Sequence, residues 1–121
     1  MKLQFTKREF NAFEASISKM GYKKYSGFLN TSDYYFAKTL HKSKPNEYGE
    51  TRNDLEALLL VYDFSKYEQF PNNHYMHVQA EICVSRNIDE RIEIITDENQ
   101  FNSIQEFEDI AYKFYNFICS L

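Results

Sequence analysis

At 121 residues, with 43% hydrophobic and 26% charged residues, the chain is long enough to bury one core and too apolar to stay disordered. A formal net charge of −4 and only two cysteines argue against a protein that works by phosphate neutralisation, a disulfide-stapled secreted scaffold and a zinc site built on thiolates. The 11 Phe and 10 Tyr, with no Trp, mean that large rings must supply much of the buried area.

Residues 1–9 contain no apolar run that could serve as a signal peptide. No stretch approaches the ~20 apolar residues of a membrane span, so the expectation is a cytoplasmic protein with no membrane contact. Thr6-Lys7-Arg8-Glu9 has the form of a capping box, and Gly21 stands where a left-handed residue is wanted to end a helix. Between them Phe10, Phe13, Ile17 and Met20 recur every three or four residues, which predicts an amphipathic helix with a narrow apolar stripe.

The period then changes to two. Residues 22–28 and 33–40 predict a hairpin around Asn30-Thr31-Ser32, with Gly27 weakening its first strand. The polar segment 41–53 is long for a connection within a domain and reads as a functional loop or as unseen strand ends. Residues 55–64 are apolar on both faces and predict a central strand. After the turn chemistry of Pro71-Asn72-Asn73, residues 75–85 alternate strictly. Met76, Val78, Ala80, Ile82 and Val84 point one way, toward a core, while Tyr75, His77, Gln79, Glu81, Cys83 and Ser85 point the other way, onto a polar face. Arg86-Asn87-Ile88-Asp89 turns the chain into residues 91–96, where Arg91 and Glu93 continue the polar side.

A second capping box, Ser103-Ile104-Gln105-Glu106, opens the last helix, and Glu108 and Asp109 complement its dipole. Its apolar positions run from Ile104 to Leu121 and cover more than half its circumference. One sheet face cannot cover that width, so either the first helix packs along it or a second copy does, forming a homodimer through the C-terminal helix. The expected fold class is α+β: an antiparallel sheet of about five strands with an N-terminal and a C-terminal helix packed on one face, in the order α-β-β-β-β-β-α. It forms one α+β domain over residues 1–121.

The glycines Gly21, Gly27 and Gly49 stand singly, so no phosphate-cradling loop is present, and no cofactor or resident metal is expected. His74 and His77, three apart on a strand, project to opposite faces and cannot share a metal. His77, Glu81 and Cys83 share a face, but six residues of strand separate His77 from Cys83 by about 20 Å, too far for a nucleophile pair. Charge is unevenly spread: residues 1–45 carry nine Lys or Arg against three acids, and the remainder five against fifteen. An acidic half of this kind suits a basic partner.

The leading expectation is a non-enzymatic protein-binding module of the regulator, inhibitor or immunity type, acting on a protein partner through the polar sheet face at Tyr75, His77, Gln79, Glu81, Arg91 and Glu93. The first alternative is a small hydrolase or nuclease with a site around His77 and Glu81, assembled with Asp63 and a residue of the 41–53 segment. The second is a nucleic-acid binder through Lys23, Lys24, Tyr25, Lys38, His41, Lys42 and Lys44, which the overall acidity disfavours.

Overall fold

Thr6 caps the first helix, α1 (Lys7–Lys19), reciprocally: its Oγ1 accepts from the Glu9 amide at 3.2 Å, and Glu9 Oε1 accepts from the Thr6 amide at 2.8 Å. At the other end Gly21 takes φ +100°, which lets its amide donate to Ser18 O and the Tyr22 amide to Ile17 O, both at 3.1 Å. This double bond closes the helix and seats Tyr22 and Ile17 together in the core. A methyl group at position 21 would meet only the flexible Lys38 side chain, at 3.7 Å, so the cost of a substitution lies in the backbone. Gly21→Ala is expected to lower stability by about 1 kcal/mol in urea unfolding, with an unchanged m-value.

The structure, a computed structural model, describes residues 1–27, 29, 31–45, 47–49, 53–66, 75–87 and 90–121. The strands are β1 (Gln4–Phe5), β2 (Lys23–Tyr25), β3 (Tyr34–His41), β4 (Asp54–Asp63), β5 (Met76–Asn87) and β6 (Glu90–Ile95), followed by α2 (Ile104–Cys119). They form one six-stranded antiparallel sheet in the order β1-β5-β4-β3-β2. The outer edge of β5 is shared: β1 pairs with it at Met76 and His77, and β6 pairs with it from Glu81 onward. The expected antiparallel α+β fold is therefore present, with β4 as the central strand. The expected hairpin is β2 and β3, though β2 stops at Tyr25, two residues before Gly27. The sixth strand is β1, whose two residues are too short to show any period. The turn chemistry at residues 71–73, His74, and Ile88-Asp89 lie outside the described residues.

Both helices pack on one face of the sheet. Phe10, Phe13 and Ile17 of α1 and Ile104, Phe107, Ala111 and Ile118 of α2 share a core with Phe36, Leu55, Ala57, Leu59, Val61 and the even-numbered residues of β5 from Met76 to Val84. Within this layer Glu108 is only 4% exposed. Its carboxylate accepts from Tyr22 OH at 2.9 Å and from Lys38 Nζ at 3.0 and 3.1 Å. Glu108 is thus a buried bridge between α2, β3 and the end of α1, and the dipole role expected of it from the sequence is corrected. Burial, then the Glu108 carboxylate, push the Tyr22 hydroxyl pKa far above its ordinary value.

The start of α2 also departs from expectation. Ser103 Oγ accepts from the Glu106 amide at 3.1 Å, but Glu106 Oε2 accepts from the Asn102 amide at 2.8 Å, so only half of the capping box forms. Part of the width of α2 goes to the connection between β3 and β4. Tyr112 OH donates to Leu40 O at 2.9 Å and Tyr115 OH to Asn53 O at 2.7 Å, while the Tyr115 ring lies 5.2 Å from that of His41. Phe117 remains 60% exposed.

Candidate functional site

With both helices on one side, the other face of the sheet is the candidate surface. The register lays it out in rows: Tyr25, Tyr35, Leu60 and Gln79 cross the sheet together, then Lys23, Ala37, Leu58, Glu81 and Ile95, then Thr39, Glu56, Cys83 and Glu93. The uniformly polar face expected from β5 is corrected at its centre. Leu58, Leu60 and Cys83 are buried there, with Leu29, Tyr35, Ala37 and Tyr62 packed against them. The cause is β4, which is apolar on both sides and imposes a second, smaller apolar cluster on the strands that flank it.

The six residues singled out on this face do not form one constellation. Tyr75 precedes β5 and its carbonyl accepts from the Phe64 amide at 2.8 Å. His77 lies opposite Tyr62, edge-on to the Phe64 ring at 4.8 Å. Gln79 accepts through Oε1 from Tyr62 OH at 3.2 Å. At the far end Arg91 and Glu93 form an exposed ion pair at 2.9 Å. Six residues of strand separate His77 from Cys83, the partner of Glu93, and at ~3.3 Å per residue that places the two groups about 20 Å apart.

Between them stands Glu81, which is 2% exposed and flanked by Leu58 and Ile95 in the register. Its Oε2 has no hydrogen-bond partner among the described residues. Burial raises its pKa above the ordinary 4.5, Glu93 adds to the effect and Arg91 opposes it. Burial likewise pushes the Cys83 thiol up, which keeps it in its unreactive protonated form.

Two hollows flank this centre. The first, about 460 Å³, lies at the β5 edge in the gap between β1 and β6 and is lined by Tyr62, Phe64, His77, Gln79, Thr96 and Glu98 together with Leu3, Val78 and Ala80. The second, about 510 Å³, opens over Ala37 between the stacked rings of Tyr25 and Tyr35, whose centroids are 5.2 Å apart, and the side chains of Lys23, Thr39 and Glu56. Sequence reasoning missed Tyr62, Phe64, Thr96 and Glu98 as companions of His77. They come from β4, from the short turn Phe64–Lys66 after it, and from the chain leaving β6, and no short-range spacing connects these segments to β5.

Asp63 of the hydrolase reading is not brought to His77 and Glu81, and residues 46 and 50–52 of the 41–53 segment lie outside the described residues. Asp63 lies opposite Met76, whose side chain joins the helix-side core, so it belongs to the other face from His77 and Glu81. Among the described residues no three of His, Cys, Asp and Glu come together as a metal-binding group. The basic set of the nucleic-acid reading is divided as well: Lys38 is held by Glu108, and Lys24 lies 3.6 Å from Glu14 and over the Tyr34 ring. Comparison with protein-family models, with curated proteins and with solved structures gives no match to this chain.

Proposed function

We propose that the chain is a non-enzymatic protein-binding module that docks a basic partner on the sheet face its helices leave bare. One observation carries this reading: the face presents Ile95 at 61% exposure and Tyr25 at 44% on either side of its apolar centre. Exposed apolar and tyrosine surface of this kind, beside hollows able to take side chains, is the usual make-up of a docking surface. The carboxylates Glu56 and Glu93 stand in the same rows and favour a cationic partner, with Glu81 buried between them. Cys83 and Cys119 are unbridged, which suits action in a reducing compartment such as a cytoplasm. Among the described residues no helix is long and apolar enough to cross a membrane.

The test is capture from a lysate of the source cells with three baits: the parent protein, Ile95→Glu combined with Tyr25→Ala, and Lys113→Glu on the outer side of α2. A partner is expected to be retained by the parent and by Lys113→Glu and lost by the face variant. Equal retention by all three would remove this face from consideration. A homodimer through α2 is the second reading, resting on exposed Phe117, and sedimentation of Phe117→Ser beside the parent checks it.

A further inference from the structure

We infer that the hollow at the β5 edge is a receptor for an organic cation with an apolar stem, namely the guanidinium or ammonium end of an arginine or lysine side chain. This deepens the docking proposal and rests on it for the source of the cation, a side chain of the partner. Three rings converge on the hollow: Phe64 meets His77 at 4.8 Å and 89°, and lies nearly parallel to Tyr62 at 6.3 Å. All three rings line the hollow, and the face of a Phe or Tyr ring attracts a cation within ~6 Å.

The charge on the walls points the same way. Among the described residues Glu98 is the one charged side chain lining the hollow, and no Lys or Arg lines it. Glu98 Oε2 accepts from the Leu3 amide at 2.8 Å, which holds the carboxylate in the wall of the hollow. The Gln79 carboxamide is oriented by Tyr62 OH, and the half-buried rings of Tyr62 and Phe64 give the apolar surface against which a methylene stem can lie. The hollow over Ala37 differs, because Lys23 and Lys38 line it alongside Glu56. The hollow at the β5 edge is thus the one of the two with no Lys or Arg among its described lining residues.

The experiment is a titration of the isotope-labelled protein, followed by amide chemical shifts, with n-butylguanidinium chloride and, in parallel, with uncharged 1-pentanol. The expected result is a saturable shift of the His77, Gln79, Ala80 and Thr96 amides by the guanidinium in the millimolar range, at least five-fold tighter than by pentanol. Phe64→Leu and Glu98→Gln should each weaken it about three- to ten-fold, and Lys23→Gln should leave it unchanged. Glutamine at position 98 can still accept from the Leu3 amide, so loss of the fold is not the expected cause of weakening. Equal binding of pentanol, absence of saturation, or insensitivity to both variants overturns the inference. Because the titration needs no partner, its failure leaves the docking reading standing if capture succeeds. Conversely, saturation without capture supports the receptor and removes the proposed source.

Discussion

Glu108→Ala is expected to cost about 3 kcal/mol of folding stability, lowering Tm by roughly 10 °C, the largest loss from any single polar side chain in the helix-side core. The substitution leaves Lys38 Nζ without its carboxylate at 3.0 and 3.1 Å, and leaves Tyr22 OH without its acceptor at 2.9 Å. Lys38 retains 26% exposure of its side chain, so water recovers part of what the ammonium loses, and the effect falls at the lower end of the range for broken buried pairs. Tyr22→Phe removes one hydrogen bond to a charged acceptor and should cost about 1.5 kcal/mol. The double variant Glu108→Leu, Lys38→Met replaces both charges with apolar groups of similar bulk. It is expected to recover most of the loss seen on removing Glu108 alone, because neither charge is left unpaired. Chemical denaturation of the parent, Glu108→Leu, Lys38→Met and the double variant gives the coupling directly. A loss under about 1 kcal/mol for Glu108→Ala would mean that the bridge contributes nothing beyond packing.

That bridge also shows where sequence reading reaches its limit. Glu106, Glu108 and Asp109 look alike in the sequence, three acids in the opening turns of a helix, and the dipole accounts for all of them equally well. Only the placement of α2 over β3, with Lys38 beneath it, singles out Glu108. Elements with a strong period were legible: the stripe of α1, the two-sided apolar run of β4 and the alternation of β5 each predicted the structure found. The second apolar cluster was legible in part, since the two-sided character of β4 already required something on its far face. Its consequence for β5, that Glu81 and Cys83 would be buried beside Leu58 and Leu60, depends on the β4–β5 register, which alternation does not specify. The hollow beside His77 was not legible. It exists because β1 and β6 occupy different stretches of the same β5 edge and leave a gap, and a two-residue strand carries no signal of its own.

Glu81→Leu is expected to stabilise the protein by about 2 kcal/mol at pH 7 while weakening capture of a cationic partner through loss of the acid at the centre of the face. The carboxylate is 2% exposed, lies between Leu58 and Ile95, and has an oxygen with no hydrogen bond among the described residues, so an apolar side chain removes a desolvation cost and fills the same space. The pH dependence carries a definite sign. Burial first, and Glu93 second, raise the pKa of Glu81 in the folded protein above its ordinary 4.5, so the fold holds a proton that the unfolded chain releases. The contribution of protonated Glu81 is fully present below about pH 4.5 and is lost as the pH rises through that value, until the folded carboxyl itself ionises. The advantage of Glu81→Leu should accordingly shrink at pH 4 and widen toward pH 7, as urea unfolding at the two values will show. A variant more stable than its parent cannot owe lost capture to unfolding, and this is what makes position 81 more informative than any exposed residue of the face. Undiminished capture by Glu81→Leu would show that the carboxylate takes no part in docking, and would leave Ile95, Tyr25 and the two hollows to carry the interface.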